Sequence, residues 1–212
     1  MTQARSLLLA LGMLCLASGS KAEVAYQFQG TVQYVTDGTG GLLNLTGTFQ
    51  IRDTFILSCT IDPATLDTSD PTQSACTGCV TAWSISVDGY TGTMRSDGLS
   101  ILNVLNDVDE GGTICAGPDP ADEFIVVATG FNAAPVGNAV LFSSGFGLVD
   151  CEGSAWSSSD VPRSVTVSEL ESGEMTLTFL DGSVTGAVIA TLNQATVPVR
   201  PATWGEVKTR YR

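Results

Sequence analysis

Between Tyr26 and Tyr34 the chain alternates, with Tyr26, Phe28, Val32 and Tyr34 on one parity and Gln27, Gln29, Thr31 and Gln33 on the other. A period of two sends the sets to opposite faces of an extended strand, so this one is half-buried. Similar runs cover Phe49–Ile61, Val80–Val87, Leu99–Leu105, Phe124–Thr129, Val140–Val149, Met175–Leu180 and Val184–Leu192. Between them stand Asp37 to Gly41, Asp88-Gly89, Asp97-Gly98, Glu110-Gly111 and Asp181-Gly182, residues that tolerate positive φ and turn the chain. The pattern predicts an all-β fold, an antiparallel two-sheet sandwich of about eight strands with jelly-roll-like topology. Asp181-Gly182, set between two alternating runs, marks a hairpin. Ser164 to Leu170 fits a short helix loosely, and Asp62 to Gly78, polar and turn-rich, reads as a long exposed loop within one domain.

The two ends follow a different pattern. Arg5 precedes an apolar run from Leu7 to Ala17, and the small residues Ser20 and Ala22 complete the outline of a secretory leader, residues 1–22, cleaved after Ala22. Cys15 leaves with it, because Gly12, Met13 and Leu14 match a lipoprotein box poorly. No later segment reaches the ~20 continuous apolar residues of a membrane helix, so no transmembrane segment is expected in the mature chain. The body, 23–196, is followed by a proline-containing linker, 197–203, and a short basic and aromatic tail, 204–212. Residues 23–198 hold 21 Asp and Glu against Arg52, Arg95 and Arg163, a formal charge of −18. Such a surface repels nucleic acid and anionic lipid, so no nucleic-acid partner is expected.

Short motifs follow in order: Phe28-Gln29-Gly30-Thr31-Val32, Gly47-Thr48-Phe49, Thr54-Phe55, Thr60-Ile61-Asp62-Pro63, and Leu148-Val149-Asp150 with Gly153, Ser158, Asp160 and Val161-Pro162. Gly182-Ser183-Val184-Thr185-Gly186 then leads toward Val197-Pro198. In this order they resemble the small exported β-rich bacterial proteins that carry a PEP-CTERM sorting tail, and the likeness covers most of residues 26–198. The resemblance implies an exported protein associated with envelope or extracellular-matrix material, and it carries over no catalytic residue. The tail departs from that family. Val197-Pro198-Val199-Arg200-Pro201 runs directly into Thr203 and the last nine residues, without the apolar helix of a PEP-CTERM ending.

In a helix, Trp204, Val207 and Tyr211 would share one side of the tail, with Lys208, Arg210 and Arg212 largely away from it. The ending is similar to short Trp-Gly-x-x-Lys-x-x-Tyr-Arg termini of other exported bacterial proteins. Trp204, Lys208, Tyr211 and Arg212 are the residues through which a sorting or secretion component, or an envelope polysaccharide, would recognise it. The alternative is a terminus whose aromatic residues fold back on the acidic body.

Five cysteines remain after cleavage: Cys59, Cys76, Cys79, Cys115 and Cys151. Export makes disulfides the default and an odd count leaves one thiol over. The expected pairs are Cys115 with Cys151, and Cys59 with either Cys76 or Cys79. Cys76-Thr77-Gly78-Cys79 also has the spacing of a redox or zinc pair, but it sits in a loop entering a strand and the chain contains no histidine to complete a zinc set. The stretch Asn106 to Gly112, with Asp119 and Asp122 nearby, is the candidate ligand site. Asp107, Asp109, Glu110 and Asp122 would supply oxygens to calcium, although no glutamate stands where an EF-hand loop needs one.

Catalysis has little to draw on. Without histidine the chain lacks the usual general base and activator of a nucleophile. Asp150 with Glu152, or Asp122 with Glu123, remain as carboxylate pairs, and Ser143, Ser144 and Ser157 to Ser159 have no base in view. The reading is therefore a non-catalytic exported protein with a structural, envelope or matrix role, located in the periplasm, at the cell surface or outside the cell. The alternative is a calcium-dependent or glycan-binding module with Trp156, set among Ser and Asp, as its stacking surface and Trp83 in the core. Asn44-Leu45-Thr46 is a glycosylation sequon that a bacterial host of the expected kind leaves unmodified.

Overall fold

A computed structural model describes residues 23–109, Cys115 and residues 120–196. The expected leader, the linker and tail, Glu110 and Asp119 lie outside the described residues. The chain is all-β. Among the described residues eleven strands form one continuous antiparallel sheet that curls into a half-barrel, in place of the expected two-sheet sandwich of about eight strands.

In chain order the strands are β1 (Val24–Thr36), β2 (Thr54–Ile61), β3 (Gln73–Thr77), β4 (Val80–Val87), β5 (Tyr90–Met94), β6 (Ser100–Asp109), β7 (Pro120–Thr129), β8 (Phe131–Ala133), β9 (Val140–Asp150), β10 (Ser172–Asp181) and β11 (Val184–Thr196). Across the sheet they run β3-β6-β7-β9-β10-β11-β1-β2-β4-β5-β8. The ladder passes without a break through β11, β1 and β2, which is why there is one sheet. Its two wings nonetheless face each other across the core. Trp83 of β4 stacks on Phe146 of β9 with ring centroids 5.9 Å apart, and Phe146 also meets Phe28 at 4.6 Å and Phe124 at 5.1 Å.

Alternation accounts for most of this burial. Phe55, Leu57, Cys59 and Ile61 all point inward from β2, and Trp83, Ile85 and Val87 from β4. Tyr34 breaks its expected parity and is exposed, because the β1–β11 register shifts between Val32 and Tyr34 and reverses the faces beyond it. Asp181 and Gly182 form the predicted hairpin turn, with Asp181 opposite Val184 and Gly182 at φ 59°. The segment Phe49 to Asp53, expected as strand, is a turn in which Arg52 has φ 81°. The loosely expected helix at Ser164 to Leu170 is a single 3-10 turn, Val167–Glu169.

The expected long loop, Asp62 to Gly78, contains β3, an edge strand paired with β6. The long connection is instead 151–171. It covers the core with Trp156, Val161 and Val165, and it is tied down where Ser74 Oγ donates to the Ser159 carbonyl and Tyr26 Oη to the Pro162 carbonyl.

Candidate functional site

At one end of the sheet, β6, β7 and β9 bring polar residues into a buried corner. The β6–β7 register slips between Leu105 and Val108, so Asn106 and Asp107 form a bulge opposite Asp122, with Asp107 in the left-handed region at φ 54°. Asp122 on β7 and Asp150 on β9 are cross-strand partners, and both are buried. Two carboxylates side by side in an apolar environment must each find donors or give up their charge.

Both find backbone donors. Asp122 Oδ1 accepts from the Asp107 N–H at 3.1 Å and Oδ2 from the Trp156 N–H at 2.8 Å. Asp150 Oδ1 accepts from the Glu152 N–H at 2.9 Å. Its Oδ2 accepts from the Ser154 N–H at 2.7 Å, the Ala155 N–H at 2.6 Å and the Ser154 hydroxyl at 3.1 Å. The two environments act in opposite directions. Burial raises the Asp122 carboxyl above the ordinary carboxylate value, helped by the nearby Asp107 and Asp150 charges, and its two hydrogen bonds only partly offset this. Burial also pushes Asp150 up, but its set of hydrogen bonds outweighs that and holds it below the ordinary value. These groups shape the turn that carries the chain from β9 into the covering segment.

Cys115 and Cys151 lie at bonding distance beside this corner, as expected from the sequence. They pack with Ala121 and Val149 in a small apolar cluster, and Glu171 Oε2 accepts from the Cys151 N–H at 2.7 Å. The second pair differs from expectation: Cys76 bonds to Cys79, and among the described residues Cys59 is the free thiol. Cys59 points inward from β2 and is fully enclosed, and burial pushes its thiol well up, which keeps it unreactive. The Cys76-Cys79 bridge ends β3 and leads into β4. Two pairs at disulfide distance fit an oxidising environment. Among the described residues no helix is long and apolar enough to cross a membrane.

Of the expected calcium ligands, the bulge brings Asp107 and Asp122 together, but they meet through the Asp107 N–H. Glu110 and the Asp109 side chain lie outside the described residues. Among the described residues no three acidic or cysteine side chains are grouped to hold a metal ion. Trp156 is buried rather than exposed, because the covering segment folds it into the core, so it offers no stacking surface. Trp83 is in the core as expected, its indole N–H donating to Ser144 Oγ at 3.2 Å. Of the carboxylate pairs, Asp150 caps the Glu152 N–H itself. Trp204, Lys208, Tyr211 and Arg212 lie outside the described residues.

A second feature of the sheet was not expected from the sequence. On the outer face of β7, β9 and β10 a trough of about 280 Å³ runs over Gly145 and Gly147. The register explains it. Ile125 stands opposite Gly147 and Gly147 opposite Glu174, while Val127 stands opposite Gly145 and Gly145 opposite Thr176. One wall is aliphatic, the floor is bare at Gly145 and Gly147 between Ser143 and Val149, and the other wall carries hydroxyl groups and a carboxylate. Two glycines at alternate positions of a central strand were the available signal. No family model, curated protein or solved structure matches the chain.

Proposed function

We propose that the protein is exported and non-catalytic, with a structural role in envelope or extracellular-matrix material, and that its C-terminal tail serves as a sorting handle. The observation that carries this is the pair of disulfides, which suit a compartment outside the cytoplasm. Further support comes from the acidic corner, where Asp122 and Asp150 direct their oxygens at backbone N–H groups that hold a turn. A general acid or base would need a carboxyl within reach of a substrate proton. The leader, the acidic body and the likeness to PEP-CTERM-type proteins point the same way, and a sorting component or envelope polysaccharide is the partner the tail would meet.

The test is fractionation of cells expressing the full chain or a chain ending at Pro198, with thiols trapped by an alkylating reagent before and after denaturation. The expected result is a protein outside the cytoplasm in which one thiol, Cys59, reacts and only after denaturation, and whose distribution changes when the tail is removed. Retention in the cytoplasm with all its cysteines reduced would end the export reading. An unchanged distribution of the shortened chain would remove the handle.

A further inference from the structure

We infer that the glycine-floored trough on the outer face of β7, β9 and β10 is a binding site for a neutral oligosaccharide. This deepens the envelope reading and rests on it only for the place where such a glycan is met.

Gly147 forms the middle of the trough floor. Its φ lies outside the left-handed region, so the backbone there suits any residue. A Cβ at this position would meet nothing nearer than Ile125 Cγ1 at 4.0 Å, so the protein's own packing has room for a side chain. Gly145 is different, because a Cβ there would stand 2.9 Å from the Val126 carbonyl oxygen and 3.2 Å from Val127 Cγ2. A glycine in the middle of a central strand weakens it, and without a local steric reason it marks a surface that something else approaches closely. The absent side chain at Gly147 keeps the trough open.

The walls identify the occupant. Ile125 and Val127 form one side, and the aliphatic strip continues to Ile101, which stands opposite Val127 and is 63% exposed. Glu174, Thr176 and Thr178 form the other side, and among the described lining residues Glu174 alone carries charge. A sugar ring matches this asymmetry: its C–H face packs on aliphatic groups while its hydroxyls bond to threonine and carboxylate oxygens. At about 280 Å³ the space sits near the lower end of small-ligand sites, enough for a short stretch of glycan rather than a folded domain. Charge narrows the class further. Glu174 and a body of formal charge −18 repel uronates, anionic lipid and a second copy of the chain.

The test uses calorimetric titration of the purified full chain with cellohexaose, mannohexaose, xylohexaose and chitohexaose, with an oligogalacturonate as the charged comparison. Wild type should bind at least one neutral hexasaccharide saturably and the uronate far more weakly. Gly147→Val, which fills the floor, should weaken binding at least about tenfold with a melting temperature no lower than wild type. Thr176→Arg, on the polar wall, provides the second variant and should weaken binding similarly even if Gly147→Val folds poorly. The proposal fails if wild type binds none of the four, if affinity survives both substitutions, or if the uronate binds as tightly as the neutral sugars. It also fails if wild type sediments as a dimer that Gly147→Val dissociates, since the face then belongs to a second copy. Loss of sugar binding would leave the fractionation result standing, so the two readings fail separately.

Discussion

The two faces of β9 differ more than those of any ordinary half-buried strand need to. Ser144, Phe146 and Leu148 point inward and are enclosed, with Phe146 meeting aromatic rings from β1, β4 and β7. The outward row carries Ser143, Gly145, Gly147 and Val149, the middle two without a side chain. One strand thus concentrates packing on one side and leaves space on the other. Stability should therefore be sensitive on the inner face and tolerant at Gly147 on the outer one, where a Cβ meets nothing nearer than 4.0 Å.

The largest effect should come from Phe146→Ala, which empties the point where the two wings of the sheet meet. It is expected to cost about 3–5 kcal/mol in urea unfolding, against little or no loss for Gly147→Val. Equal losses at the two positions would break the comparison between the faces.

Next is Asp150→Ala, which strips acceptors from three backbone N–H groups and the Ser154 hydroxyl at once. The expected cost is about 2–3 kcal/mol at neutral pH, because the turn reopens to water and recovers part of the loss. The depressed Asp150 carboxyl adds a pH dependence. Its contribution is present above the ordinary carboxylate value of about 4 and disappears as pH falls through the lower folded value. Melting curves of wild type and variant should therefore converge in strong acid. A gap of constant size would show that hydrogen bonding to the ionised form is not the cause.

The smallest effect belongs to its cross-strand neighbour. The raised Asp122 carboxyl makes the folded state bind a proton more tightly than the unfolded chain does, so its contribution favours the fold at low pH and fades as pH rises through the folded value. Asp122→Asn should flatten the gain in stability that accompanies a fall in pH from 7 toward the ordinary carboxylate value of about 4, shifting the melting temperature by only a few degrees. A wild-type curve without that gain would mean that Asp122 titrates as an ordinary carboxylate.

Much of the fold was legible because alternation reports which face of a strand is buried. Eight of the eleven strands correspond to alternating runs, and Cys59 and Trp83 lie on the inner parity the pattern assigned. The missing strands are short: β3 and β5 run for five residues each and are rich in Ser, Thr or Gly, and β8 has only three residues, Phe131–Ala133. They gain strand structure from the neighbour they pair with rather than from their own composition. Tyr34 was misplaced because a bulge reverses parity without leaving a mark in the residues themselves. Trp156 was misread because the burial of an indole among Ser and Asp depends on where its loop lies. In the candidate site, the Cys115–Cys151 bridge was foreseen. The mutual placement of Asp122 and Asp150 was not, since they lie 28 positions apart and meet only through strand register.

By itself the sequence determined the β class, the buried parity of most strands, the turn at Asp181-Gly182 and an acidic body almost without cations, because each depends on neighbouring residues or on simple counts. Only tertiary structure decided that the strands form one curled sheet, that Cys76 takes Cys79 and leaves Cys59 enclosed, and that two glycines floor a trough between an aliphatic and a polar wall. Alternation specifies what a strand buries and is silent about which strand lies beside it. Register and pairing join residues far apart in the chain, and the free energy that selects them comes from packing the whole core.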